Sequence, residues 1–106
     1  MTMVLQISRW SIHPDKVKAY NEWIGAAVRR TLAIPGLIEL RAYRPVTGEY
    51  QIAVTYEFAD LAAWAAWRSH EDNRRLEDEL RTLVSNATTE VWGPSPVVPG
   101  PIRPGG

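Results

Sequence analysis

The hydrophobic period along this chain switches between two and about 3.6, and the order of those switches constrains the fold more than any other feature. Residues 3–12 alternate, with Met3, Leu5 and Ile7 on one side and Gln6, Ser8 and Trp10 on the other, the pattern of a half-buried strand. His13-Pro14-Asp15 then opens a helix, because proline fits the first turn and an acidic side chain there meets the positive end of the helix dipole. Val17, Tyr20, Ile24, Ala27 and Val28 recur at helical spacing, so one apolar stripe runs from about Pro14 to Leu32 with Trp23 at its border. Ile34-Pro35-Gly36 ends that helix. Ile38, Leu40 and Ala42 alternate with Glu39, Arg41 and Tyr43, and after the turn Val46-Thr47-Gly48-Glu49 a second alternating run extends from Tyr50 to Phe58, so the two form a hairpin. Asp60 caps a short helix, Leu61 to Arg68, and Ser69 followed by Asp72 restarts a helix at His70 whose buried stripe is Leu76, Leu80, Leu83 and Val84. Residues 86–92 close the series as a strand with Ala87, Thr89 and Val91 on one side.

Strand, helix, strand, strand, helix, strand is the ferredoxin-like βαββαβ plan, an α+β fold with a four-stranded antiparallel sheet and both helices on one face. At 106 residues the chain supports one core. Residues 1–93 make up that domain; residues 94–106, rich in Pro and Gly, form an extended tail expected to lie across its own surface or a neighbouring subunit's. The helices are expected to cover Ile7, Leu40, Ile52, Val54 and Val91, leaving Gln6, Ser8, Trp10, Glu39, Arg41, Tyr43, Thr55, Glu57, Glu90 and Trp92 on the open face. Bulky aromatics interleaved with charges of both signs suit a sheet laid against a second sheet, and a two-fold homodimer is the economical way to supply one.

Composition removes several function classes. Twelve basic side chains balance twelve acidic ones, so nothing surplus holds a phosphate backbone and nucleic acid is not an expected partner. There is no cysteine, and the two histidines stand far apart, so neither a thiol nucleophile nor a metal-ligand spacing is present. No apolar run approaches the ~20 residues that cross a bilayer and no secretory pattern opens the chain, so the expected location is cytoplasmic with no membrane partner. What stands out is five Trp and four Tyr in so small a body. Tyr20 and Trp23 on the first helix face Trp64 and Trp67 on the second in this plan, either as plain core or as aromatic walls that bind a flat, apolar substrate. His70, at the junction of the two later helical segments beside Trp67, is either a solvated first-turn residue or a group that moves protons near neutral pH.

The opening strand with its His13-Pro14-Asp15-Lys16 helix entry, the stretch Ile34-Pro35-Gly36-Leu37-Ile38-Glu39-Leu40 and the passage Tyr56-Glu57-Phe58-Ala59-Asp60-Leu61-Ala62-Ala63-Trp64 resemble the antibiotic biosynthesis monooxygenase superfamily of dimeric α/β barrels. The resemblance covers roughly residues 3–93. It implies two ferredoxin-like sheets facing each other in a homodimer, and an enzyme that oxidises a small aromatic or polyketide-type molecule with O₂ and no cofactor or metal. The haem-degrading branch pairs a first-strand Asn with a Trp and with a His ten residues beyond that Trp. Here the first strand holds Gln6 and Ser8, and Arg74 and Glu77 stand ten residues after Trp64 and Trp67, which argues against haem. Under the oxygenase reading His70 and Trp64 are the candidate catalytic residues, and Tyr20, Trp23 and Trp67 the candidate substrate contacts. The alternative is a non-catalytic dimeric barrel that binds a small ligand or serves as an assembly unit; an open cleft with a polar group near Trp64 or His70 favours the enzyme, and a cavity plugged by the rings favours the alternative.

Overall fold

In the computed structural model, which describes residues 3–105, the alternating stretches become β1 (Val4–Ile12), β2 (Glu39–Tyr43), β3 (Ile52–Phe58) and β4 (Val84–Trp92). The helical stretches become a 3₁₀ turn (Pro14–Lys16) running into α1 (Val17–Leu32), then α2 (Leu61–Ser69) and α3 (Glu71–Arg81). Residues 1, 2 and 106, which the expected domain and tail boundaries include, lie outside the described residues. The sheet order is β2-β3-β1-β4 with every neighbouring pair antiparallel, the ferredoxin-like arrangement.

Local chemistry accounts for the element ends. Asp60 caps α2 by accepting the Ala63 N–H at 2.8 Å. Gly36 turns the chain after α1 with a φ of +104°, a conformation that side chains resist, and brings the backbone against α2 beside Ala63 and Trp67. Asn86, one of the residue types that tolerate a left-handed backbone, has a φ of +57° where the β1–β4 register shifts, so β4 bulges beside Ala87. Ser69 was the expected cap of α3. The cap is instead His70, whose Nδ1 accepts the Asp72 N–H, while the Ser69 hydroxyl donates back to the Ala65 carbonyl.

Two apolar clusters hold the helices to the sheet. One joins Val4, Ala27, Ile34, Phe58, Trp67 and Leu76, and the other joins Trp10, Tyr20, Val54 and Leu83. Each fully buried side chain of this size contributes about 1.5–3 kcal/mol, so these clusters carry most of the cohesion between layers.

The strand phase of β1 differs from the sequence expectation. Val4, Gln6, Ser8 and Trp10 face the helices, whereas Leu5, Ile7 and Arg9 lie on the open face. The cause is pairing: Val4, Gln6, Ser8 and Trp10 stand opposite Phe58, Tyr56, Val54 and Ile52, and the apolar side of β3 must meet the helices. Polar residues are tolerated inside because each is hydrogen-bonded, as described below. Ile7, on the open face, is only 6% exposed because its strand neighbours cover it. On that face Arg9 reaches Glu90 at 3.7 Å and lies over the Trp92 ring, and Arg41 pairs with Glu39 at 3.0 Å. Of the apolar residues in the tail from residue 94, Val97 is 87% and Ile102 78% exposed, whereas Val98 is 44% exposed.

Candidate functional site

The layers do not close completely. A cleft of about 510 Å³ remains between the sheet on one side and α1 and α3 on the other, with Trp67 of α2 at one end. Tyr20, Trp23 and Trp67, the three expected substrate contacts, all line it. Trp67 is 2% exposed and packs tilted against Tyr56 and Phe58, with ring centroids 5.3 and 5.0 Å away; among the described residues its indole N–H has no hydrogen-bond partner. Trp10 donates its indole N–H to the Tyr20 hydroxyl oxygen at 3.2 Å, which leaves the Tyr20 hydrogen free to be donated. Burial pushes the Tyr20 hydroxyl above the usual tyrosine range against the smaller opposing effect of the Trp10 bond, so it stays a neutral donor.

Tyr56 lies deeper. Its hydroxyl is raised strongly by burial, with the nearby Tyr20 and Glu77 adding to the shift. It touches the cleft and has no hydrogen-bond partner among the described residues, so it too is a protonated donor without an acceptor.

Gln6 and Ser8 give the apolar cleft a polar floor. Trp64 donates its N–H to Gln6 Oε1 at 2.9 Å, Gln6 Nε2 donates to Ser8 Oγ at 3.2 Å, and Ser8 Oγ meets Thr89 Oγ1 at 3.3 Å. Trp64 is thus not on the cleft wall; it stands behind Gln6 and fixes which end of that carboxamide faces which way. Asn73 of α3 is equally buried, at 4%, and its Nδ2 donates to the Arg68 carbonyl at 3.3 Å and to Glu77 Oε1 at 3.1 Å. Glu77, the one carboxylate on the cleft wall, also lies near Arg68 (3.7 Å) and Arg81 (3.5 Å).

A partly exposed latch at the cleft edge holds the Trp23 wall. Its indole N–H donates to Glu79 Oε1 at 2.7 Å, and Arg30 grips both oxygens of Glu79 at 2.7 and 2.8 Å. Bonding from Arg30 first, then Trp23, lowers the Glu79 carboxyl to about 2, so the clasp between α1 and α3 stays charged throughout the neutral range.

His70 is not brought to the cleft. It sits at the junction of α2 and α3 with its Nδ1 engaged as a helix cap, the same arrangement by which His13 Nδ1 accepts the Asp15 N–H. Both histidines thus serve helix entrances. Five cleft residues used below were not singled out as site residues from the sequence: Gln6 and Ser8 through the reversed strand phase, Tyr56 as ordinary strand core, and Asn73 and Glu77 within the mostly charged run from Glu71 to Glu79. The spacing Asn73-Leu76-Glu77-Leu80, one helical stripe, carried the signal for the last two. Among the described residues no group of three or more acidic or histidine side chains is placed to hold a metal ion.

A four-stranded ferredoxin-like sheet with helices on one face is an architecture with known relatives. Residues 3–88 match the family described as Antibiotic biosynthesis monooxygenase, and the chain belongs to it. Among solved structures it is similar to a Mesorhizobium loti dabb family protein with a ferredoxin-like fold, at 19% identity and a TM-score of 0.79, over 90% of this chain and 99% of that one. It is also similar to SnoaB of Streptomyces nogalater, a cofactor-independent oxygenase, at 12% identity and a TM-score of 0.69, over 85% of this chain and 90% of that one. A dimeric ferredoxin-like protein of unknown function from Thermobifida fusca matches at 18% identity and a TM-score of 0.67, over 86% of this chain and 90% of that one. At these identities the likeness is one of fold. No curated protein matches the sequence. No helix among the described residues is long and apolar enough to cross a membrane.

Proposed function

We propose that this protein is a cofactor-independent monooxygenase that oxidises a small aromatic or polyketide-type molecule in the cleft between its sheet and helices. The observation that carries the reading is the open space itself: about 510 Å³ walled by Tyr20, Trp23 and Trp67, with the polar Gln6 held against Trp64. A chain that used these rings only as core would fill that space. Family membership and the shared fold with an oxygenase support the same reading.

The residues divide the work in this proposal. The rings of Trp23 and Trp67 hold a flat substrate and exclude water, while the neutral Tyr20 and Tyr56 hydroxyls donate to oxygens that gain negative charge. Glu77 takes the phenolic or enolic proton, the role expected of His70, because Glu77 lies on the cleft wall and His70 does not. The electron-rich anion passes one electron to O₂, and the radical and superoxide combine at a ring carbon. The peroxide anion so formed takes the proton back from Glu77, and the hydroperoxide then loses water with the remaining hydrogen of that carbon, leaving one oxygen atom as a carbonyl and the other in water.

Incubation with anthrone under O₂ tests this. The expected result is one O₂ consumed per anthraquinone formed, slowed about a hundredfold or more in Glu77→Gln. Uptake no faster than the spontaneous rate contradicts it. The assembly in this proposal is a homodimer joined through the open sheet faces, as favoured by the half-exposed Trp92 and Tyr43 among matched charges and by the dimeric relative from Thermobifida fusca.

A further inference from the structure

Two buried carboxamides line the cleft, and their neighbours lock them in opposite senses. Gln6, 5% exposed, has its oxygen occupied by the Trp64 N–H, so the end it can offer is nitrogen. One of its two N–H bonds goes to Ser8, and the other has no partner among the described residues. Asn73, 4% exposed, has both N–H bonds directed to acceptors, the Arg68 carbonyl and the Glu77 carboxylate. Neither amide can be turned round, since rotating Gln6 would set its nitrogen against the Trp64 N–H and rotating Asn73 would set its oxygen against two other oxygens. The end Asn73 can offer is therefore its carbonyl oxygen, which has no partner among the described residues.

The two groups belong to one end of the cleft. Tyr56 stands opposite Gln6 in the β1–β3 register, feels the charge of Glu77, and packs its ring on Trp67. Glu77 in turn holds Asn73. The sheet side thus presents a fixed donor and the helix side a fixed acceptor, with an unpaired Tyr56 hydroxyl between them. A ligand that pairs with both of these ends keeps in the cleft the hydrogen bonds it had in water, so it is preferred to one that pairs with neither.

We infer that the cleft selects aromatic ligands carrying a carbonyl oxygen and a hydroxyl at separate positions on the ring system, the carbonyl received by Gln6 and the hydroxyl by Asn73. This rests on the cleft being the ligand site, as proposed above, and adds which oxygen functions the ligand carries and which residues read them.

Four bicyclic probes of nearly equal size separate the two levels: tetralin, tetralone, tetrahydronaphthol, and a hydroxytetralone with its hydroxyl across the ring system from its carbonyl. Binding is read by calorimetry on the intact protein. The hydroxytetralone is expected to bind about tenfold more tightly than either probe with one oxygen, and tetralin weakest. Trp64→Phe frees the Gln6 carboxamide and is expected to erase the advantage given by the carbonyl while sparing that given by the hydroxyl. Asn73→Leu is expected to do the reverse. Equal binding of all four probes overturns the inference and leaves the cleft as an aromatic site. Equal weakening of all four by each variant also overturns it. If none of the four binds, both the inference and the reading of the cleft fall. The comparison among probes on the unaltered protein stands even if a variant does not fold.

Discussion

His70 shows that nearness in sequence to an aromatic helix does not bring a titratable side chain to the cleft. It lies next to the aromatic helix in sequence, yet its Nδ1 is committed to the Asp72 N–H at 3.2 Å and the ring is off the cleft. His70→Ala is therefore expected to lower stability by about 1 kcal/mol, the usual cost of a lost cap, while turnover per folded molecule stays unchanged. Denaturant unfolding beside an oxygen-uptake assay checks both halves, and a collapse of turnover in a folded variant would restore the histidine as the base. Tyr20, Trp23 and Trp67 were legible because their spacing puts them on the inner faces of amphipathic helices. Gln6 and Ser8 were not legible as cleft residues. Met3, Leu5 and Ile7 are the more apolar set on that strand, and only the pairing with Ile52, Val54, Tyr56 and Phe58 reveals that the polar set points inward. Asn73 was hidden by composition, since its neighbours in the run from Glu71 to Glu79 are mostly charged.

At the scale of elements, the order and type of every strand and helix could be read from periodicity, because each apolar stripe or alternation is long enough to be unambiguous. The ends were less legible where a cap had an unexpected identity, as at His70, or where a bulge extended pairing, as β4 begins at Val84, before the expected residue 86. Glu79 adds a charged clasp to the apolar contacts between α1 and α3, and the acid response of that clasp follows from the lowered carboxyl. A carboxylate with a folded value of about 2 against 4.5 for the free group stabilises the protein fully above pH 4.5, and the contribution is lost as pH falls toward 2. The unfolding midpoint is expected to drop over that acid window and to lose part of this dependence in Glu79→Gln. A Glu79→Gln curve parallel to that of the unaltered protein at all pH values would show that the clasp adds nothing.

For the whole molecule, the sheet has two chemically distinct faces. The helix-facing side holds the cleft, and the open side carries Ile7, Trp92 and the ion pairs that a second copy is proposed to cover. Light scattering at micromolar concentration is expected to give about twice the 12.0 kDa chain mass. We propose that the exposed Val97 and Ile102 of the tail rest on the partner, so removal of residues 94–106 is expected to weaken that assembly. A monomer at that concentration contradicts the dimer. The five tryptophans mark both sides, with Trp10, Trp23, Trp64 and Trp67 at or behind the cleft and Trp92 on the far face of the sheet. Their indole N–H resonances, followed in a nitrogen-correlated spectrum as hydroxytetralone is added, report directly on where a ligand sits. The account predicts large shifts for Trp67 and Trp23 and a still Trp92. Movement of Trp92 with silence from the other four would place the ligand on the wrong side of the sheet and contradict it.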